Sequence, residues 1–544
     1  MKELTPQLIH SLKHYSREIF IKDLISGLIV AIIALPLSIA LALASGVAPE
    51  QGIYTAIVAG FLISALGGSK VQIAGPTAAF ATIVAGIVAK NGMEGLAVAT
   101  ILAGAILVLM GLLRMGSMIK FIPYTITVGF TAGIALTIII GQLKDFFGLT
   151  FTQSPVHTLQ KLEEVGRTIN TFNPAALGIG LLALVILFWG PKVLKKIPSS
   201  LVAVLVTAGA VELCQLPVNT IGDLYTISSA LPHFSMPVLS YETVAAVLPD
   251  AFTIAVLAAI ESLLSAVVAD EMIGARHNSN MELVAQGIGN AGSAFFGGIP
   301  ATGAIARTAA NIKNGGSSPV AGMIHAVVLL LVLVLLMPYA ALIPMPCIAA
   351  ILFQVAYNMS GWRTVIDVIK HSPMSDVAVL IVTFLLTVIF DLVVAIVVGL
   401  SLACLLFMKR MADVTEVKEW EYIEDTGDDQ GRMKPVPAHV MVYELTGPIF
   451  FGAADKIPHI ERNTGRRVLI LRMRAVPAMD ITAINSLNRL YDECKSKGIQ
   501  MLFSHVNEQP MSVFQKSGLY DLVGSENFLP NIDAAIERAT QIAA

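Results

Sequence analysis

Long apolar runs fill the first three quarters of the chain. Spanning the hydrocarbon of a bilayer takes about 20 apolar residues in a helix, and many of these runs approach or exceed that length. The charge-free runs lie at 24–49, 51–69, 71–89, 95–113, 121–143, 168–191, 197–211, 283–306, 314–362, 377–390 and 392–408, and 248–269 is broken only by Asp250 and Glu261. Because 314–362 contains three prolines, it reads as two helices. With two further runs counted as broken helices, the pattern predicts about fourteen membrane segments.

In the last quarter of the chain the apolar runs are short, and their periodicity alternates between that of strands and that of helices. This pattern is typical of a water-soluble α/β domain. Strands are predicted at 440–445, 468–473 and 499–504, and helices at 453–463, 482–497, 510–517 and 530–541. The predicted domains are a cytoplasmic N-terminal segment (1–22), a membrane transport domain (23–410), an acidic linker (411–437) and the α/β domain (438–544).

Composition supports this division. Hydrophobic residues make up 55% of the chain and charged residues only 13%, whereas soluble domains carry about 25% charged residues. Residues 409–544, a quarter of the chain, hold nearly half of the charged side chains. The net charge of −3 predicts no nucleic-acid partner. Four widely spaced cysteines form neither a CxxC motif nor a disulfide framework, and no metal or other cofactor is expected.

Lysine and arginine positions predict the orientation in the membrane. Short cytoplasmic loops carry an excess of these residues. When the N-terminus is placed in the cytoplasm, most of the lysines and arginines of the membrane region fall inside, and only Lys90, Lys144, Lys161 and Arg167 fall outside. The sequence therefore predicts a cell-membrane protein with both termini in the cytoplasm.

Two apolar segments are interrupted by a proline followed by small residues and a threonine: 73–80, IAGPTAAF, and 295–311, FFGGIPATGAIARTAAN. A matched pair of interrupted segments, one in each half, is the best sequence indication of a transporter's binding site. Two helix N-termini facing one cavity present free N–H groups and positive dipole ends to an anion. The alternative is that both are proline kinks with small-residue packing; the matched pair favours an anion site.

Glu261 lies deep within an apolar segment, where an ionisable group is costly and usually functional. It is predicted to carry a proton or to bind a cation, and Ser265, one turn later, is predicted to add an oxygen to a sodium site. The alternative is a structural hydrogen bond to a neighbouring helix. Arg307 has three open interpretations: it balances the anion, pairs with Glu261, or extends to the cytoplasmic face beside Lys313. His325 is interpreted as a hydrogen-bonded packing residue.

Five motifs in order resemble the SulP family, the sulfate-permease or solute-carrier-26 type. They are the two interrupted segments together with ALPLSIALALASG (34–46), AIESLLSAVVAD (259–270) and ELVAQGIGN (282–290). The tail resembles the STAS domain of that family. The resemblance implies a seven-plus-seven inverted repeat, a core domain that moves against a gate domain, a homodimer, and an anion site between the third and tenth helices.

Position by position, the resemblance implies that Thr77 and Ala78 line the third-helix side of the site, and that Gly303 and Ala304 line the tenth-helix side. Glu261 matches the carboxylate that family members use for proton or sodium coupling. Arg307 matches a basic position that adds positive potential in some members.

Two positions depart from the family pattern. Leu37 follows Pro36 where plant sulfate carriers have a glutamine, so the first helix looks closest to bacterial C4-dicarboxylate members, then to bicarbonate members. In the tail, Ile481 follows Asp480 where STAS relatives carry a phosphorylated serine, and Thr482 is a weak substitute. Phosphorylation is therefore not expected to switch this domain, which is predicted to bind a protein partner or to position the dimer.

The sequence favours a secondary active transporter that carries a small inorganic or carboxylate anion together with a proton or sodium ion. An uncoupled anion channel or exchanger is the alternative, and Glu261 counts against the channel. A membrane-anchored scaffold does not explain the paired broken helices. An enzyme is not predicted, because the sequence contains no nucleophile–base set and no nucleotide-binding loop, and an ion gradient must then drive transport.

Overall fold

The computed structural model describes residues 4–13, 15–117, 123–153, 155, 157–193, 198–390, 392–420, 422–423, 434–460 and 465–543. The chain divides into two compact units, Met1–Leu400 and Ser401–Ala544. The first contains nearly all of the apolar helices, and the second contains the α/β domain together with the end of the last apolar helix.

Seventeen helices lie in the described residues up to position 414. They are α1 (Gln7–Leu12), α2 (Arg17–Ala44), α3 (Pro49–Leu66), α4 (Ala81–Leu112), α5 (Tyr124–Phe147), α6 (Thr158–Thr168), α7 (Pro174–Val193), α8 (Ser199–Cys214), α9 (Ile221–Leu224), α10 (Tyr241–Ile273), α11 (Ser279–Phe295), α12 (Ile305–Lys313), α13 (Val320–Leu336), α14 (Met345–Ser360), α15 (Trp362–His371), α16 (Met374–Ile389) and α17 (Leu392–Val414). Seven helical segments among the described residues are long and apolar enough to cross a membrane by themselves.

The helices form two halves of seven membrane segments. Helix α4 is interrupted at Gly92, whose φ of +67° ends one helix and starts the next, so it counts as two segments. The first half then comprises α2, α3, both parts of α4, α5, α7 and α8, and the second comprises α10 to α14, α16 and α17. Because seven crossings is an odd number, the second half enters the membrane from the opposite side. This agrees with the predicted fourteen-segment helical membrane protein.

Two groups of helices pack mainly within themselves. Helices α2, α3, α4 and α10 to α13 form one group, and α5, α7, α8, α14 and α16 form the other. The groups meet chiefly along α2, which contacts α5, α8 and α14. Both broken segments belong to the first group, so the candidate site is built on one of the two bodies.

The C-terminal unit is a five-stranded sheet with helices on both faces. Its strands are β3 (Glu416–Glu419), β6 (Val440–Thr446), β7 (Val468–Ala475), β8 (Gln500–Ser504) and β9 (Phe528–Leu529), in that spatial order, and a separate ribbon joins β4 (Tyr422–Ile423) to β5 (Lys434–Pro435). Strands β6 to β9 are parallel and β3 is antiparallel. The helices are α18 (Ile481–Ser496), α19 (Glu508–Ser517), α20 (Leu519–Val523) and α21 (Ile532–Ala543). Apolar cores lie on both faces of the sheet.

Two sequence-based expectations differ from this unit. The predicted helix at 453–463 is a single 3-10 turn at Ala454–Lys456 within the described residues, because Pro458 lacks the N–H that a continuing helix needs; 461–464 lie outside those residues. The predicted linker 411–437 contains the edge strand β3, which pairs with β6. Residues 421 and 424–433 of that linker lie outside the described residues.

Candidate functional site

The two broken segments meet in a short antiparallel ribbon. Strand β1 (Ala74–Gly75) pairs with β2 (Thr302–Gly303), with Ala74 opposite Gly303. The N–H of Ala304 extends the ribbon by donating to the carbonyl of Ile73 at 2.8 Å. Because the strands are antiparallel, the helices that follow them leave in opposite directions, and both helix N-termini lie at the ribbon.

Proline and small residues explain why each helix starts where it does. Pro76 has no N–H to donate, and Thr77 is extended, with φ of −126°. A 3-10 turn at Ala78–Phe80 then leads into α4. In the second segment Pro300 precedes the ribbon, and α12 begins after Ala304, which is extended with φ of −99°. The backbone of both segments is thus held extended up to the first helical residue.

Glu261 of α10 joins the two segments. The hydroxyls of Thr77 and Thr302 each donate to its carboxylate oxygen Oε2 at 3.2 Å, and the two hydroxyl oxygens lie 3.3 Å apart. Thr302 is fully buried, whereas Thr77 and Glu261 are partly exposed. Glu261, which the sequence analysis singled out only as a carboxylate in an apolar segment, therefore contacts both broken segments, and Thr302 is a member that the sequence-based site omitted.

The free N–H groups differ from those expected. Gly303 donates its N–H to Ser262 Oγ at 3.1 Å, and Ala304 donates its own to Ile73. The first N–H groups of a helix have no partner within it, and in α12 these belong to the residues after Ala304, beginning with Ile305. On the other segment the N–H of Ala78 has no hydrogen bond among the described residues. The donors available to an anion are therefore at Ala78 and at the first turn of α12.

Arg307 is buried inside the first helix group. Its Nη2 donates to Ser38 Oγ at 3.2 Å and to the carbonyl of Pro76 at 3.3 Å. Within the described chain it forms no ion pair with Glu261, and it does not reach the cytoplasmic face, so two of its three interpretations are wrong. A Cβ at Gly75 would lie 2.2 Å from Nη1. Glycine there makes room for the guanidinium behind the ribbon.

Ser265 forms no hydrogen bond with the Glu261 carboxylate among the described residues. It is buried, and its hydroxyl has no hydrogen-bond partner in the part of the chain that the structure describes. Ser262, the residue next to Glu261, holds Gly303 instead. Since residues four apart share a helix face only approximately, the one-turn spacing could not decide which serine would face the ribbon.

Side chains that the sequence analysis did not select hold the second segment. Asn290 donates to the carbonyl of Ala301 at 2.9 Å and accepts from its N–H at 2.8 Å. Thr55 of α3 accepts from the N–H of Ile299 at 2.7 Å. The available signal was the amide of Asn290 inside an apolar stretch, because a buried amide needs partners.

Two other polar residues lie buried in this helix group. Glu282 lies in the first turn of α11, and its carboxylate accepts from the N–H of Gly68 at 2.9 Å and from Gln72 Nε2 at 3.1 Å. His325 is fully buried, and neither ring nitrogen has a hydrogen-bond partner among the described residues. Within the described chain, the expectation that it is hydrogen-bonded is wrong.

A cavity of about 780 Å³ separates the two helix groups. It is lined by Thr82 and Lys90 of α4 and Thr253 of α10 on one side, by α5 and α16 on the other, and by α6. Glu164 of α6 accepts hydrogen bonds from the side chain and N–H of Thr152, which hold the pKa of its carboxyl below the usual range. Thr253 lies eight residues before Glu261 on α10, about 12 Å along the helix. The cavity thus approaches the ribbon from one side of the membrane.

Comparison with known proteins identifies the family. The model of the "Sulfate permease family" matches residues 20–383, and that of the "STAS domain" matches 432–535. The putative sulfate transporter YvdB of Bacillus subtilis (strain 168) is 40% identical over 528 residues, covering 96% of this chain and 98% of that protein.

Two further relatives agree. The bicarbonate transporter BicA of Picosynechococcus sp. is 30% identical, and the alignment covers 95% of this chain and 94% of BicA. The structure of murine Slc26a9, described as an anion transporter in the inward-facing state, superposes with a TM-score of 0.88 at 19% identity, over 99% of this chain and 94% of that one; at that identity it supports the fold alone. This chain is a multi-pass membrane protein of the sulfate permease family of anion transporters, with a C-terminal STAS domain.

Proposed function

We propose that the chain is a secondary transporter that binds a small oxyanion at the ribbon and carries it together with a cation bound at Glu261. The observation that supports this best is the pair of hydrogen bonds from Thr77 and Thr302 to Glu261. They join the start of each broken helix to one carboxylate. Occupancy of the anion site and the charge of Glu261 are then coupled, because both act on the same few atoms.

The anion is proposed to bind between the first N–H groups of α4 and α12. Helix N-termini favour negative charge through their dipoles and free donors. Arg307, behind the ribbon, has a buried cationic side chain whose Nε and Nη1 lack partners among the described residues. Its charge adds positive potential without contacting the anion directly. Relatives named for sulfate and bicarbonate make an oxyanion the proposed class, with a C4-dicarboxylate as a further candidate.

A proton is the cation that the described contacts favour, and sodium is the alternative. The three oxygens of Glu261, Thr77 and Thr302 already satisfy one another. Ser265, the expected extra sodium ligand, does not join them. Neutralising Glu261 lowers the cost of carrying it through the hydrocarbon.

The proposed motion is an elevator or rocking movement of the first helix group against the second. Both halves of the site lie on the first group, and the 780 Å³ cavity lies between the groups. A movement of one body against the other would carry the intact site across this gap. We further propose a homodimer in the cell membrane with cytoplasmic termini, in which the STAS domain contacts a protein partner.

The test is uptake by purified protein in liposomes. Labelled sulfate, bicarbonate and succinate are each offered under an imposed proton or sodium gradient. The proposal predicts concentrative uptake of one anion under one gradient, and loss of that gradient dependence in Glu261→Gln. Glu212→Gln, an exposed carboxylate on α8, is the matched control and keeps the dependence. Anion binding, followed as a thermal shift in detergent, persists in Glu261→Gln.

Gradient-independent equilibration of several anions by the unmodified protein would refute symport and favour the channel or exchanger. Unchanged gradient dependence in Glu261→Gln would remove Glu261 from the coupling step while leaving the anion site in place.

A further inference from the structure

His325 of α13 is a buried polar side chain that the proposed transport mechanism does not use. Its exposed fraction is 0%, and neither Nδ1 nor Nε2 has a hydrogen-bond partner among the described residues. A neutral imidazole has one nitrogen that donates a hydrogen bond and one that accepts. Because nearly all buried polar groups are satisfied by protein groups or by ordered water, this ring requires an explanation.

The backbone of β1 presents a second buried polar group to the same place. Ala74 lies opposite Gly303 in the ribbon, next to the pair Ile73 and Ala304, which a backbone hydrogen bond joins. Hydrogen-bonded pairs alternate with non-bonded pairs in an antiparallel ladder, so the carbonyl of Ala74 points away from β2. Ala74 is fully buried, and within the described chain its carbonyl accepts no hydrogen bond.

The glycine at position 60 of α3 leaves a small space between these two groups. A Cβ added at Gly60 would lie 3.3 Å from the carbonyl oxygen of Ala74 and 3.8 Å from His325 Nδ1, and no atom outside α3 would lie closer to it. The space therefore has the size of one methyl group or one water molecule. Two buried polar atoms border it, one from the backbone and one from a side chain.

We propose that one buried water molecule occupies the space beside Gly60 and bridges His325 Nδ1 to the carbonyl of Ala74. The water donates one hydrogen to the carbonyl, and its second hydrogen bond joins it to the ring. His325 is then a positioning residue that ties α13 to the first broken segment. The inference rests on the proposed function only in taking Ala78, four residues after Ala74, as a donor to the anion.

The chemistry of the space favours water over an ion. Its two nearest polar atoms are a carbonyl oxygen and a ring nitrogen. An anion would lie against the carbonyl oxygen, and a dehydrated cation would have only one oxygen ligand, whereas a buried ion needs a charged partner or several ligands. A buried water is satisfied by as few as about two polar partners.

The bridge would complete the support of the first broken segment. From the side of β2 and α12, Ile73 donates its N–H to Thr308 Oγ1 and accepts from the N–H of Ala304. The proposed water holds Ala74 from the opposite side, toward α3 and α13. Loss of the water would let the strand shift and would displace the N–H of Ala78, so we expect a higher half-saturation concentration of the anion.

The test fills the space with a methyl group. Gly60→Ala places the methyl where the water would lie, and Gly209→Ala is the matched control, because a Cβ added there on α8 meets no atom within 4 Å. Both substitutions raise helix propensity alike. The proposal predicts that Gly60→Ala lowers the melting temperature in detergent and raises the half-saturation concentration several-fold, because Ala74 and His325 lose their shared partner. A melting temperature equal to or above that of Gly209→Ala would overturn it, since the methyl would then only improve packing.

A second background separates the water from a tight contact between the new methyl and Ala74. Gly60→Ala is also made in His325→Leu, where the contact with Ala74 is the same but the water has already lost its ring partner. The proposal predicts a smaller drop in melting temperature in this background than in the unmodified protein. An equal drop in both backgrounds would assign the effect to the contact and overturn the proposal.

Solid-state NMR of protein labelled with ¹⁵N-histidine in liposomes detects the bridge directly. The ring signals of His325 are those that disappear in His325→Leu. We expect them to show one protonated and one unprotonated nitrogen with magnetisation transfer from water, and we expect this transfer to be lost in Gly60→Ala and kept in Gly209→Ala. Absence of the transfer in the unmodified protein would overturn the proposal. The melting and NMR measurements require no transport, so a failure of the proposed symport would leave their outcome unchanged.

Discussion

The two broken segments both run from an extended strand into the start of a helix, but they are supported differently. The second, 299–304, is held by side chains of three helices: Thr55 of α3, Asn290 of α11 and Ser262 of α10. The first, 73–80, depends on the second, through the ribbon and through Thr308 Oγ1, which accepts from the N–H of Ile73 at 3.0 Å. The two broken segments therefore differ in rigidity. The second is held rigidly, and it positions the first.

The segments also differ in charge and exposure. The first contains no charged residue between 71 and 89, whereas the second carries Arg307. Thr302 is fully buried, whereas Thr77 is partly exposed to the site. The comparison indicates that the second segment sets the geometry and the potential, and that the first completes the site. Substitutions in or around the second segment should therefore have the larger effects.

Asn290→Ala is expected to have the largest effect. It leaves the buried N–H and C=O of Ala301 without partners, at about 1–3 kcal/mol each. Uptake should fall by more than about tenfold, and the melting temperature in detergent should drop. Asn314→Ala is the control, because it removes one partly buried bond at the far end of α12. A wild-type melting temperature in Asn290→Ala would show that the second segment is not the rigid half.

Thr302→Ala should reduce uptake about tenfold, because a hydrogen bond to a charged group contributes about 1.5–3 kcal/mol and no water can replace a fully buried hydroxyl. Initial rates against pH are the measurement. Thr302→Ser keeps the hydroxyl and should restore most of the activity. Equal loss in the serine variant would assign the effect to packing rather than to the bond.

Gly75→Ala should lower uptake about fivefold, since moving the Arg307 guanidinium off its preferred rotamer costs about 1 kcal/mol. The measurement is uptake at saturating and at low anion concentration, because a weaker positive potential raises the half-saturation concentration. Gly86→Ala, where an added Cβ meets open space, is the control. If both variants behave alike, the space behind the ribbon does not position Arg307.

Thr77→Ala should have the smallest effect, about threefold, because a water at this partly exposed position can bridge to Glu261. Its uptake is compared directly with that of Thr302→Ala under the same gradient. A loss greater than that of Thr302→Ala would reverse the assignment of the two halves.

The sequence predicted the segments that form the candidate site more reliably than the individual side chains that meet there. The interrupted runs and Glu261 stand out locally, because a proline in an apolar run and a charge in an apolar helix are anomalies that need no tertiary information. Ser262 and Asn290 were not selected, and Ser265 was. These choices depend on which face of a helix points to the ribbon, which a spacing of three or four residues leaves undecided.

The α/β domain shows the same limit of sequence-based prediction: an element that depends on a distant partner is missed. Buried strands such as β7 are continuous apolar runs and were predicted within a few residues. Strand β3 was assigned to a linker, because its residues Glu416–Glu419 are mostly exposed and charged, and only pairing with β6 makes them a strand.

The sequence by itself determined which segments cross the membrane, where two of them break, and which carboxylate lies inside an apolar segment. These properties depend on local composition, since the hydrocarbon requires an apolar run and a proline interrupts a helix wherever it stands. The tertiary structure alone decided which hydroxyls reach Glu261, which N–H groups remain free for an anion, and that Arg307 lies behind the ribbon. The partners of Glu261 lie 184 and 41 residues away along the chain, and only tertiary packing brings such distant atoms within a hydrogen bond of each other.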